Sequence, residues 1–172
     1  MVPTQPSADL ELVAERSFAA NVDRVWELCT TKRGLERWWS PETLRTTVTR
    51  WEGRLGGEVS MALRYLPAML GPKGESEYLA AGIPITLRLH GRVVEWERHR
   101  RVAFELTLTL DRAGAGITNV TRLEFEPLGP GTLVRLVVTG KSEPHLVTLG
   151  KTNLEGQLDR LGRCLDESPA ST

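Results

Sequence analysis

The side chains in this sequence that could do acid–base, nucleophilic or metal chemistry are few and scattered. His90, His99 and His145 are too far apart for a His-x-x-x-His metal pair, and no Ser/His/Asp order or carboxylate dyad stands at a spacing that hydrolysis would need. His90 and Arg92 flank Gly91. If the chain bends there, either side chain could turn inward and act as an acid or orient a carbonyl, but strand parity sends them outward as readily. Tyr65 shares parity with Met61 and Leu63, so its phenol is the better candidate for a polar anchor among apolar groups. Cys29 and Cys164 are too few for a stapled secreted scaffold or a four-thiolate zinc site, and both fall on expected helices as reduced packing residues. Trp38-Trp39 ends a short helix and has two readings: one indole covers a cavity, or both simply pack. Trp26 and Trp96 read as structural, and Trp51, near a turn, as a rim residue. No catalytic residue, metal or cofactor is expected.

The elements that would position these groups belong to one ordinary domain. The 172 residues are 40% hydrophobic and 26% charged, and 22 Lys+Arg balance 22 Asp+Glu, which excludes a disordered or fibrous chain and disfavours a nucleic-acid binder. The basic run Arg98-His99-Arg100-Arg101 sits at an expected hairpin tip beside Glu95 and Glu97, so it reads as a solvated turn. No apolar run approaches the ~20 residues of a membrane span, and Met1 to Ser7 has neither a basic start nor an apolar stretch; no membrane role and a cytoplasmic location are expected. Without a secretion signal, Asn119-Val120-Thr121 would carry no glycan, and Gly114-Ala115-Gly116 reads as a turn. The expected boundaries are a tail over 1–8, one domain over 9–167 and a tail over 168–172.

Leu10 to Phe18 reads as an edge strand. Asn21 caps a short amphipathic helix carrying Val22, Val25, Trp26 and Cys29, and a second, over Lys32 to Trp39, is stopped by Ser40-Pro41. The period then becomes two: strands are expected over Leu44 to Trp51, Glu58 to Tyr65, Ile85 to Glu97, Val102 to Leu110, Ile117 to Glu126 and Thr132 to Thr139, with a bulge or bend at Gly91. The break from Leu66 to Pro84 holds three prolines and three glycines and is an insertion, expected to fold over a cavity end or against a second copy in a homodimer. A final helix from about Ser142 to Asp166 aligns Val147, Gly150, Leu154, Leu158, Leu161 and Leu165 on one stripe, leaving Lys151, Glu155, Asp159, Arg160 and Arg163 outside it.

Strand, two short helices, a long meander and one long terminal helix is the order of a helix-grip fold: α+β, with a curved antiparallel sheet of six or seven strands. The motifs Glu15-Arg16-Ser17-Phe18, Val25-Trp26, Trp38-Trp39, Gly56-Gly57, Gly91-Arg92-Val93-Val94-Glu95, Gly131-Thr132 and Leu158-x-x-Leu161 sharpen the match. Residues 9 to 167 resemble the SRPBCC (START-like, birch-pollen-allergen-like) superfamily and, within it, the branch of homologues of the heat-shock protein 90 ATPase activator. Asn153-Leu154 stand where that family often carries Gly-Trp.

The resemblance implies a cavity between sheet and helix for a small hydrophobic or aromatic molecule. Strand alternation and the helix stripe supply its expected lining. Val59, Met61, Leu63 and Tyr65 would come from one strand, and Phe104, Leu106 and Leu108 from the next clear one. Leu123 and Phe125, then Val134 and Leu136, follow on the last two. Gly150, Leu154 and Leu158 would come from the helix, with Trp38 or Trp39 as cover. The rival reading is that these residues fill an ordinary core. Non-catalytic binding is the first functional expectation. The alternatives are a polyketide cyclase or aromatase using the same cavity, and a module that contacts a heat-shock protein 90 chaperone.

Overall fold

In a computed structural model the described residues are 8–72, 74–82, 84–109, 116–142 and 147–167. Seven antiparallel strands form one sheet in the order β1-β7-β6-β5-β4-β3-β2, with β1 at Ala8–Phe18, β2 at Leu44–Trp51, β3 at Glu58–Tyr65, β4 at Thr86–Glu97, β5 at Arg101–Thr109, β6 at Gly116–Leu128 and β7 at Gly131–Ser142. From β2 to β7 each strand pairs with the next, and the chain's first strand closes the far edge against its last. β1 is an edge strand, as expected. Val13, which interrupts its alternation, points outward while Leu12 and Ala14 are buried.

Two helices connect the edge strands. In α1 (Val22–Thr30) the Asn21 side chain accepts the Arg24 amide at 3.0 Å, and in α2 (Lys32–Trp38) the Thr31 hydroxyl accepts the Gly34 amide at 3.1 Å. The insertion is ordered into a 3-10 turn at Pro67–Met69 and a helix α3 (Gly74–Ala80), with Leu70 buried and Met69 and Leu79 exposed. The long helix α4 (Val147–Asp166) lies across the concave face, against β1, β7, α1 and α2. Leu154, Leu158 and Leu161 are buried and Lys151, Glu155, Asp159 and Arg163 are exposed, as the stripe requires.

Several expectations need correcting. The register of β4 slips between Val93 and Glu95, two residues beyond the expected site, because the bulge allows Val93 and Trp96 both to face inward. Gly91 has a different role: a Cβ there would stand 1.8 Å from the Glu105 carbonyl oxygen, so the two strands approach too closely for any side chain. Arg160 lies outside the buried stripe, as expected, but is half-buried. Its Nη1 donates to the carbonyls of Ser40 at 2.8 Å and of Pro41 and Leu44 at 3.2 Å, which ties α4 to the loop after α2. Leu110, the turn over 111–115, the start of the last helix over 143–146 with His145, and the tails over 1–7 and 168–172 lie outside the described residues.

The convex face is covered by charges in register. Glu15, Arg135, Glu124, Arg101 and Glu97 are successive cross-strand partners from β1 to β4, alternating in sign, with Arg135–Glu15 at 3.1 Å and Arg101–Glu97 at 2.5 Å. Opposite charges directly across a sheet attract, and the row keeps this face wetted. Among the described residues, no helix is long and apolar enough to cross a membrane.

Candidate functional site

The concave side is packed at one end and hollow at the other. At the packed end all five tryptophans join two phenylalanines in one run of ring contacts. Trp38 meets Trp39 at 5.7 Å between centroids, and Trp39 meets Phe104 at 5.5 Å. Phe104 meets Trp51 at 5.8 Å, Trp51 meets Trp96 at 6.3 Å, and Trp26 lies between Trp96 and Phe125 at 5.3 and 5.6 Å. Edge-to-face and tilted pairs of this kind add to the burial of large rings, so this end is closed. Val59, Met61, Leu123, Val134, Leu136 and Leu158 fill the same core.

Away from that run, α4 and the sheet leave a cavity of about 370 Å³ that opens to solvent. The sheet contributes Leu44, Leu63, Leu87 and Leu89 on one side, Leu106, Leu108 and Ile117 in the middle, and Leu10, Leu12 and Val138 on the other. The loop after α2 contributes Trp39, Ser40 and Pro41, and α4 contributes Gly150, Asn153, Leu154 and Gln157. The last two wall residues, Asn119 and Thr121, share the inner face of β6. The asymmetry follows the large rings: they cluster at one end of the concave face, and the wall at the other is mostly aliphatic.

Of the expected lining, the structure brings Trp39, Leu63, Leu106, Leu108, Gly150 and Leu154 to this cavity. Trp38 is instead fully buried beneath α1, where its Nε1 donates to the Leu28 carbonyl at 2.9 Å. Phe104 and Phe125 belong to the aromatic run, and Val59, Met61, Leu123, Val134, Leu136 and Leu158 to the closed core, because inward parity selects a face of the sheet without selecting a place along it. Tyr65 is half-buried at the end of β3 and is not part of the wall. Gly150 does not open empty space by itself: the tip of Leu12 lies 2.6 Å from where its Cβ would be. The insertion contributes no wall residue among those described.

Sequence reasoning missed Leu10, Leu12, Leu87, Leu89 and Val138, which parity alone would have admitted. It also missed the polar pair Asn119 and Thr121, whose signal was two polar residues between Ile117 and Leu123 on an otherwise apolar face. Asn119 faces the interior, so the glycosylation-like triplet is not presented outward.

The chemistry candidates lie elsewhere. His90 and Arg92 are exposed on the convex face, and Arg92 pairs with Glu105 at 3.0 Å. His99, at φ +60° in the β4–β5 turn, has its Nε2 2.9 Å from Asp23 Oδ1 and meets Trp26 edge-on, fastening α1 to the turn. Burial pushes the Cys29 thiol far up and raises Cys164 in the same direction, so neither is activated as a thiolate. A larger groove of about 670 Å³ runs beside the β4–β5 turn, but Glu97, Arg101, Glu124 and Arg135 in its wall belong to the paired row on the outer face. It encloses nothing apolar comparable to the hollow under α4.

The wall loop is held from above. Gln157 Nε2 donates to the Trp39 carbonyl, and the Arg160 contacts hold Ser40, Pro41 and Leu44. The Ser40 hydroxyl also accepts from Thr46 Oγ1 at 2.8 Å. The cavity therefore has a braced rim on the α2 side.

No curated protein matches the chain. Its fold is that of several solved structures. Protein CV1439 from Chromobacterium violaceum is 17% identical with a TM-score of 0.70, over 92% of this chain and 99% of that one. A protein from Arthrobacter aurescens is 24% identical with a TM-score of 0.69, over 95% and 88%. DynU16, a protein of the dynemicin biosynthetic locus, is 16% identical with a TM-score of 0.64, over 91% of this chain and 47% of that one. At such identities these likenesses show the fold alone. A family profile goes further: it matches residues 9–165, all of the sheet but its first residue and nearly all of α4, and is described as polyketide cyclase / dehydrase and lipid transport. The heat-shock protein 90 activator branch is not what matches. From the span of that match and the sheet–helix architecture, the chain belongs to the polyketide cyclase/dehydrase and lipid transport family, within the SRPBCC superfamily.

Proposed function

We propose that this protein binds, without transforming it, a small uncharged hydrophobic or aromatic molecule in the hollow between sheet and α4. The observation that carries this reading is the composition of the wall: among the described lining residues none is ionisable, and most are leucine, isoleucine, valine or tryptophan. Apolar ligand surface moved from water onto such a wall is stabilised by roughly 25 cal/mol per Å². A carboxylate or ammonium would shed its hydration and meet no countercharge. The volume of about 370 Å³ lies within the range of small-molecule pockets.

A cyclase or aromatase reading draws on one feature, the neutral polar groups of Asn119, Thr121, Asn153 and Gln157 around the same space, which could orient a carbonyl. Removing and returning a proton needs a group whose pKa can be tuned, and His90 and Arg92 stand on the other face of the sheet. Binding is therefore the better supported reading. A chaperone contact would draw on an unpaired patch of the outer surface, whereas the convex row of charges is matched strand by strand.

Thermal-shift screening with aromatic and lipid-like compounds tests the proposal, together with native mass spectrometry of protein taken directly from cells. Neutral apolar compounds should raise the melting temperature and their carboxylate counterparts should not. A screen in which no neutral apolar compound shifts the transition would end it.

A further inference from the structure

We infer that Asn119 sets the chemistry of the molecule this hollow holds: an uncharged apolar compound carrying a hydrogen-bond acceptor such as a ketone, ester or lactone carbonyl, received by the Asn119 Nδ2 donor. The inference rests on the reading of the hollow as a ligand cavity and adds to it which functional group the ligand carries.

Asn119 lies on the inner face of β6, between Leu106 of β5 and Gly140 of β7, its direct cross-strand partners. Its Oδ1 is buried and accepts no hydrogen bond. That oxygen rests on Gly140: a Cβ at position 140 would stand 1.8 Å from it. Glycine is what allows the contact. The carbonyl oxygen of the amide meets the Cα hydrogens in a C–H···O approach, whereas the flipped amide would press its own hydrogens against them. With Oδ1 held against the sheet, the other branch of the planar amide is the one left to face the cavity that Asn119 lines, and no hydrogen bond of the amide to a protein group is formed among the described residues.

An amide in this position is costly. Ile117, Leu123 and Phe125 share its face, and a leucine at 119 would leave no buried polar atom unsatisfied. A residue that breaks the local rule without a structural gain points to use by a ligand. Since the wall has no charge to offer, the acceptor that Nδ2 meets belongs to a neutral group and not to a carboxylate.

The test titrates the full chain with 2-acetylnaphthalene and 2-isopropenylnaphthalene, which share a shape and differ in C=O against C=CH2, and reads affinity by calorimetry. The parent should bind the ketone about three- to tenfold tighter, the ratio expected for one net hydrogen bond. Asn119→Leu should bind both alike, hold the hydrocarbon at least as well as the parent, and melt higher, which also shows that it folds. Asn119→Asp, which replaces the donor with an acceptor, should lose the ketone preference. Equal binding of the two probes by the parent, or a preference that survives in Asn119→Leu, overturns the role of Asn119 and leaves the apolar cavity standing. If neither probe binds the parent up to its solubility limit, the cavity reading falls and this inference with it.

Discussion

The Trp39 indole meets the Phe104 ring at 5.5 Å between centroids and 74° between planes, and this contact is where the solid half of the interior ends and the hollow half begins. Phe104 is wholly buried in the aromatic run, while Trp39 also lines the cavity. One residue thus belongs both to the core and to the wall. Its backbone carbonyl is held by Gln157 from α4, so the position of the wall depends on the long helix.

Trp39→Ala should therefore cost stability and enlarge the hollow together. Truncating a buried tryptophan costs about 3–5 kcal/mol, because the lost contacts and the new void add. Urea denaturation measures the loss. A change below about 1 kcal/mol would mean that the ring is not supporting the aromatic run.

Leu154→Trp should reduce the space from the helix side. Leu154 is buried and lines the cavity, so the larger ring must enter the hollow or displace neighbours; overpacking in a tight core would cost about 1–3 kcal/mol. Here the hollow should absorb most of the ring, leaving stability within about 1 kcal/mol of the parent while affinity for 2-isopropenylnaphthalene falls at least about tenfold. Unchanged affinity in this variant would place the ligand elsewhere.

Arg160→Met keeps the length of the side chain and removes its donors from the Ser40, Pro41 and Leu44 carbonyls. Hydrogen bonds from a charged group contribute about 1.5–3 kcal/mol, so a loss of that order is expected. Amide exchange should quicken at Leu44, whose N–H donates to the Pro41 carbonyl at 3.0 Å. Exchange equal to the parent's would show that the loop holds itself.

Alkaline pH should weaken the fold through Cys29. Burial holds its proton in the native state far above the ordinary thiol value, so on raising the pH the unfolded chain releases that proton first. Stability contributed by this thiol is present below about pH 8.5 and declines above it by up to about 1.4 kcal/mol per pH unit. Cys29→Ala should be less stable at neutral pH but should show a shallower decline between pH 9 and 10. Parallel curves for the two proteins would remove Cys29 as the cause.

The architecture was legible because its signals are local and repeat. Alternation placed the strands, Asn21 and Ser40-Pro41 bounded the helix pair, and the stripe from Leu154 to Leu161 marked the buried side of α4. The same signals were blind to position along a face, and so Val59, Met61 and Leu136, alike in parity to Leu63 and Leu106, were assigned to a cavity that they do not reach. The partners of Arg160 were hidden for a related reason: a helical wheel records direction around an axis and not the loop that a long side chain can reach.

By itself the sequence determined which residues face inward, since period two and period 3.6 are properties of a single strand or helix. Where the interior closes was decided only by the fold, because it depends on seven rings from α1, α2 and the residue after it, β2, β4, β5 and β6 meeting at one end. The pairing of Asn119 with Gly140 is of the same kind: it joins residues from two strands whose register no local pattern records, and their contact leaves the Asn119 amide oxygen buried against Gly140 without a hydrogen-bond partner.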